Sequence, residues 1–195
     1  MQKWLPLILP GLLILISGLF VIGPEEWRVF LKYDREAVAQ GDYWRFFTAN
    51  LIHSNWIHWA FNVVGFAMIG YLFIDTLKTE EWYVSIVILF IVNIILMHLF
   101  SPHLMRYVGM SGALHGLLCC LLLNKNYLGR PLSYAVLCVI IAKVIYESWF
   151  QTENPMEALI EIRVATDSHL FGVVSGIVWG ILLSLYKQHK DKHRL

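Results

Sequence analysis

The strongest structural signal is the segment of residues 168–186, SHLFGVVSGIVWGILLSLY. It is a long apolar run with small residues at regular intervals. A helix needs about 20 mostly apolar residues to cross a membrane, and this segment supplies them. Gly172, Gly176 and Gly180 recur at every fourth position, so they lie on one face and allow a neighbouring helix to approach closely. The segment therefore predicts a membrane helix packed tightly against a partner, with His169 near its start.

The composition extends this prediction to the whole chain. Of 195 residues, 58% are hydrophobic and 15% are charged, and the net charge is only +1. Soluble domains carry about 45–50% apolar and about 25% charged residues. These values exclude a soluble enzyme, a disordered chain and a nucleic-acid-binding protein, which would need a basic surface. The three cysteines show neither a disulfide framework nor zinc-site spacing. We predict an all-α, polytopic membrane protein.

Six apolar runs are long enough, or nearly so, to form spans of one domain covering residues 1–195. The predicted spans are residues 4–23, 46–75, 82–100, 111–124, 132–150 and 168–186, and Trp56 is an alternative start for the second. The first run is too long for a signal peptide and lacks a cleavage site after it, so we interpret it as a retained span. The polar residues 24–43 are expected to form a short interfacial helix.

The charges in the loops predict an orientation. Four basic residues follow the last span, and such a cluster marks the cytoplasmic side: Lys187, Lys190, Lys192 and Arg194. An even number of spans then places both termini in the cytoplasm.

Polar side chains inside spans are costly and indicate function. Five stand out here: His58, Asn62, Ser111, His115 and His169. With a rise of about 1.5 Å per helical residue, all but His115 can be placed by counting from the charged span ends, and they fall in the outer half of the membrane. A serine beside a neutral histidine predicts acyl transfer, with Ser111 as nucleophile and His169 as general base.

The remaining residues of this group predict how the negative charge of the reaction would be stabilised. Asn62 offers an amide, His58 a ring N–H, and Ser111 its own backbone N–H at the start of a helix. Glycines are expected to let the chain turn tightly before the serine and to bring the two helices together: Gly109, Gly112, Gly172 and Gly176.

Three motifs occur in a fixed order: His53-x4-His58-x3-Asn62, Gly109-Met110-Ser111-Gly112 and His169-Leu170-Phe171-Gly172. With Trp44-Arg45 before them, the sequence resembles the rhomboid intramembrane serine proteases. The resemblance implies a six-helix bundle around a water-filled cavity, no cofactor or metal, and a substrate that is itself a transmembrane helix in lipid. It implies that Ser111 and His169 form a dyad without an aspartate, that His58 and Asn62 line the oxyanion hole, and that His53 is structural.

His115 marks a departure from the usual family pattern, which often has tyrosine four residues after the serine. The variant Ser-Gly-x-x-His-Gly resembles the rhombosortase branch. That branch implies a location in the bacterial inner membrane and exported substrates that end in a Gly-Gly motif, a hydrophobic helix and a basic tail. We hypothesise that His115 orients His169 in place of a missing third triad member. The alternative is a cavity histidine bound to water.

Other interpretations stay open. The chain could be a general rhomboid protease with other single-pass substrates, or a non-catalytic rhomboid-like protein that binds transmembrane helices. A metal carrier or metalloprotease is disfavoured because there is no His-Glu-x-x-His motif, and no acidic residue is expected near His58 or His169. Lys143 is expected to reach toward the membrane surface or to pair with Glu147 one turn later.

Overall fold

The computed structural model describes residues 2–124, 129–150 and 157–193, which form a helical bundle. Five helical segments of this part of the chain are long and apolar enough to cross a membrane: Trp4–Ile22, Trp56–Phe73, Thr79–Phe100, Arg130–Phe150 and Thr166–Lys192. The fourth predicted span is a shorter apolar helix, Ser111–Asn124. The protein is an all-α, multi-pass membrane bundle, as its composition predicts.

A 3₁₀ turn at Gln2–Leu7 opens the described chain, and a second one follows α4 at Ala49–Leu51. The helices and strands are α1 (Ile8–Ile22), α2 (Glu25–Leu31), β1 (Tyr33–Asp34), α3 (Arg35–Ala39), α4 (Arg45–Thr48), α5 (Trp56–Phe73), α6 (Thr79–Phe100), β2 (Arg106–Tyr107), α7 (Ser111–Asn124), α8 (Arg130–Phe150), α9 (Glu157–Ile160) and α10 (Thr166–Lys192).

Helix α7 lies at the centre of the bundle, with nine of its 14 residues buried. It runs against α10 with backbone touching backbone. A Cβ on Gly172 would overlap the carbonyl of Gly112, and one on Gly176 would overlap the carbonyl of Gly116. The glycines spaced by four therefore set the distance between these two helices, which fixes how residues at their starts face each other.

The polar residues 24–43 depart from the predicted single interfacial helix. They form α2 and α3, and between them β1 pairs antiparallel with β2, so that Tyr33 lies opposite Tyr107. Asp34 ends the extended stretch because its carboxylate accepts hydrogen bonds from the backbone N–H groups of Glu36 and Ala37, which caps α3. This pairing attaches the first loop to the segment that leads into α7.

The second span begins at Trp56, the later of the two starts that the sequence allows. Phe46 lies instead in α4, which is separate from α5. The physical reason is the cap at Asn55, whose side chain accepts the backbone N–H of His58 at 2.9 Å and so starts a new helix there.

Arg45 holds the first loop against the bundle. Arg45 is 7% exposed, and its side chain binds the carboxylate of Asp42 and donates to the carbonyls of Val29 and Lys32 at 3.0 and 2.8 Å. A buried guanidinium with several acceptors is costly to remove because its partners would be left unsatisfied.

Candidate active site

Ser111 starts α7 directly after a tight turn. Gly109 has φ of 110°, a conformation that favours glycine, and its N–H donates to the carbonyl of Ala49 at 3.1 Å. A Cβ on Gly109 would also lie 2.8 Å from the ring of His58. The turn therefore needs glycine for its conformation and for space, and it places the serine on the first helical turn.

The Ser111 hydroxyl faces His169 at the start of α10. Ser111 Oγ lies 3.1 Å from His169 Nε2, within hydrogen-bond distance, and His169 is 7% exposed. The two residues are brought together by the contact between α7 and α10. A hydroxyl at this distance from an imidazole nitrogen can pass its proton to the ring.

A cavity of 1110 Å³ contains the pair, and the predicted oxyanion residues line it too. The Asn62 side-chain amide donates to the backbone carbonyl of His58 at 2.8 Å and keeps a second N–H. His58 Nδ1 lies 3.1 Å from Ser54 Oγ, and that hydroxyl donates to the carbonyl of Ile160 at 2.6 Å. Both residues are buried, and they line the same cavity as Ser111.

His115 lies one turn after Ser111 and stacks on the ring of His169. The ring centroids are 4.3 Å apart and the planes are inclined by 25°. Its Nδ1 lies 2.8 Å from the backbone carbonyl of Ser111. His115 thus contacts a face of the His169 ring, and the hydrogen bond described for it goes to its own helix.

The nitrogen of His169 that faces away from Ser111 has an acidic neighbour. His169 Nδ1 lies 3.4 Å from Oε2 of Glu147, and that same oxygen lies 2.8 Å from Nζ of Lys143. The pairing of Lys143 with Glu147 is confirmed. The expectation that no acidic residue lies near His169 is wrong.

A depth count would have placed Glu147 at the level of His169. Glu147 stands 17 residues after Arg130, or about 26 Å along a helix, and His169 stands 18 residues before Lys187, or about 27 Å. The two side chains therefore reach the same level of the membrane.

A chain of buried hydrogen bonds beside the site was not predicted. Asn93 Nδ2 donates to Ser168 Oγ at 3.2 Å, and Ser168 donates to the Tyr107 hydroxyl at 2.7 Å. Burial raises the pKa of Tyr107, so its phenol stays neutral. Asparagine within the third apolar run was the available signal. These hydrogen bonds connect α6 and the segment before α7 to Ser168, the residue that precedes His169.

His53 lies behind His58, at the edge of the site. The two rings meet edge to face with centroids 5.0 Å apart, and His53 is 1% exposed. Burial, with a contribution from nearby His58, lowers the pKa of His53 to about 3. This neutral ring packs against His58.

Within residues 2–124, 129–150 and 157–193, no three His, Cys, Asp or Glu side chains group as ligands for a metal ion. A search of curated proteins finds no match to the sequence. The family model of the Rhomboid domain matches residues 40–186, from the loop before α4 to the later turns of α10. This match covers most of the chain and contains all the cavity residues described above, and the chain therefore belongs to the rhomboid family of intramembrane serine proteases.

Proposed function

We propose that this protein is an active serine endopeptidase that cuts a transmembrane-anchored substrate through an acyl-enzyme on Ser111. The observation that carries the proposal is the 3.1 Å approach of Ser111 Oγ to His169 Nε2 inside a cavity that also holds His58 and Asn62. A serine, a base and hydrogen-bond donors around one space are the parts that acyl transfer needs.

In the proposed reaction, Ser111 Oγ attacks the substrate carbonyl while its proton moves to His169 Nε2. The carbonyl oxygen becomes an oxyanion, which the side chains of His58 and Asn62 and the backbone N–H of Ser111 stabilise. When the C–N bond breaks, His169 gives the proton to the departing amine. Water then attacks the acyl-enzyme with the same histidine as base, which restores the serine.

A fluorophosphonate probe distinguishes a protease from a non-catalytic binder of transmembrane helices. An activated serine reacts covalently with such a probe, and an ordinary hydroxyl does not. We expect the wild-type protein to be labelled and the Ser111→Ala and His169→Ala variants to stay unlabelled. Ser175→Ala is the matched control, because Ser175 is buried in α10 and donates to the carbonyl of Gly172. Equal labelling of wild type and Ser111→Ala would contradict the proposal.

For the substrate we propose exported proteins that end in a Gly-Gly motif, a hydrophobic helix and a basic tail. The supporting observation is His115 at the position where other family members often have an aromatic residue, here stacked on His169. Glycine also weakens a helix by up to about 1 kcal/mol relative to alanine, so a Gly-Gly segment unwinds readily and exposes its carbonyls.

We further propose that the enzyme lies in a bacterial inner membrane with both termini in the cytoplasm. The start of α7 then faces the outside of the cell, where exported proteins are released from their anchors.

A reporter carrying such a tail tests the substrate class. We expect wild-type cells to release a shortened reporter whose new C-terminus lies at the Gly-Gly motif, and cells with Ser111→Ala to keep it intact. A reporter with Leu-Leu in place of Gly-Gly is the control. Cleavage of unrelated single-pass proteins, with the Gly-Gly reporter intact, would favour a general rhomboid protease.

A further inference from the structure

We infer that Glu147 is a positioning residue for His169. It is the acidic third member of a catalytic group that also contains Ser111 and His169. The inference rests on the proposed function, because it assigns a role in acyl transfer. Glu147 belongs to α8, whereas Ser111 and His169 belong to α7 and α10. Three helices thus supply one residue each.

The contacts of His169 determine which of its nitrogens carries a proton. Nε2 faces the Ser111 hydroxyl at 3.1 Å, and Nδ1 faces Glu147 Oε2 at 3.4 Å. A carboxylate only accepts hydrogen bonds, and a neutral imidazole has one N–H. The N–H therefore belongs on Nδ1, which leaves the lone pair of Nε2 directed at the serine. This is the tautomer that a general base requires.

The carboxylate also faces the charge that forms during the reaction. His169 becomes an imidazolium when it accepts the serine proton, and a carboxylate beside it stabilises that positive charge. The side chain of Glu147 is 16% exposed and that of His169 10% exposed, so water screens the pair only in part. The 3.4 Å separation leaves room for the contact to shorten as charge develops.

Glu147 and His169 each have a further neighbour. Lys143 binds the same Glu147 oxygen from one turn earlier on α8, but its side chain is 49% exposed. His115 stacks on the face of the His169 ring, so the Nδ1 edge stays available to Glu147. The role that the sequence suggested for His115 is thus divided: His115 supports the face of the ring, and Glu147 its edge.

The test compares Glu147→Gln, Glu147→Asp and Lys143→Gln in the full-length protein in detergent micelles. The rate of labelling by the fluorophosphonate probe is measured over a range of probe concentrations. Thermal unfolding followed by tryptophan fluorescence checks that each variant is folded. Glu147→Leu is a second neutral variant, suited to a membrane helix, in case Glu147→Gln does not fold.

We expect Glu147→Gln to lower the maximal labelling rate about 10- to 100-fold with an unchanged half-saturating probe concentration. Glu147→Asp keeps the charge and should recover much of this loss. Lys143→Gln breaks the ion pair but leaves the carboxylate beside His169, so it should label at close to the wild-type rate.

Three results would overturn the inference while the proposed function stands: a wild-type rate in Glu147→Gln, a Glu147→Asp rate as low as that of Glu147→Gln, or an equal loss in Lys143→Gln. The last would show that Glu147 matters only as a partner of Lys143. A wild-type protein that does not label at all would overturn the inference together with the proposed function.

Discussion

Among single residues, Gly109 shows how the absence of a side chain allows the site to form. Its φ of 110° strains any other residue, and a Cβ there would press on the ring of His58. We predict that Gly109→Ala destabilises the protein by about 1–3 kcal/mol and slows fluorophosphonate labelling at least about tenfold. Gly41→Ala is the matched control, because Gly41 has a φ of 108° but open space around it.

Thermal unfolding and labelling rates of both variants separate the backbone conformation from the contact with His58. Strain alone should make Gly41→Ala less stable without slowing labelling. If Gly109→Ala labels as fast as Gly41→Ala, the contact with His58 has no importance for the site.

His53 predicts a dependence of stability on pH. Its folded-state pKa of about 3 lies below the ordinary value of 6.5, so in this window the unfolded chain binds a proton that the folded chain does not. The free energy of unfolding therefore decreases as pH falls from about 6.5 toward 3, by up to about 1.4 kcal/mol per pH unit. We predict that His53→Phe reduces this loss of stability. Thermal unfolding is measured between pH 7 and pH 4 at intervals of about one pH unit. The exposed His189→Phe is the control and should keep the wild-type dependence. An unchanged slope in His53→Phe would contradict a buried, neutral ring.

The residues of the site were largely predictable, because polar side chains in apolar runs stand out. Ser111, His169, His58 and Asn62 were found in this way, and the structure places them around one cavity. The sequence does not single out Glu147, because Lys143 one turn earlier is a sufficient partner for its carboxylate. Only a comparison of depth along α8 and α10 indicates that Glu147 and His169 lie at the same level of the membrane.

At the scale of helices, the contact between α7 and α10 carries the site. A Cβ on Gly172 would overlap the backbone carbonyl of Gly112, so the two helices would have to separate. We predict that Gly172→Ala destabilises the protein by about 1–3 kcal/mol and lowers fluorophosphonate labelling strongly, because His169 moves away with α10. Thermal unfolding and labelling measure the two effects.

Gly65→Ala is the matched control for this change. Gly65 also lies in the middle of a helix, α5, but a Cβ there would make an ordinary 3.7 Å contact with Leu114. We expect wild-type labelling and equal or higher stability, since alanine favours helix. Wild-type labelling in Gly172→Ala would show that the site does not depend on close approach of the helices.

The long helices could be predicted from the sequence, and the short elements could not. Apolar length and a cluster of small residues define α10 and its contact with α7 directly. The start of α5 depends on the Asn55 cap, which competes with an apolar run that continues upstream through Phe46. The pairing of Tyr33 with Tyr107 joins two residues per strand, too few for a pattern, and tertiary contacts create it.

At the scale of the whole molecule, the charge pattern predicts the orientation of the bundle. The basic cluster that follows the last predicted span, at the end of α10, places both termini in the cytoplasm if the chain crosses the membrane six times. We predict that green fluorescent protein is fluorescent when fused to either end in bacterial cells, because it does not fold after export in unfolded form. Alkaline phosphatase, which folds only after export, should be active when inserted between α6 and α7. Phosphatase activity at the C-terminus would contradict this topology.

Residues from α5, α7, α8 and α10 can form one site only if they lie at the same depth in the membrane. Counting residues from the charged ends of the spans places Ser111, Asn62, His58 and His169 in the outer half of the membrane, and all four line one cavity. The rotation of each helix about its axis could not be counted in this way. Backbone contacts such as that between Gly172 and Gly112 set it.

Mapping the covalent adduct after reaction with a fluorophosphonate tests the central claim most directly, namely that Ser111 is activated by His169. Tandem mass spectrometry of the digested protein identifies the modified residue. We predict one phosphonylated residue, Ser111, in the wild-type protein and none in His169→Ala. An adduct on a different serine, or equal modification of Ser111 in the absence of His169, would contradict it.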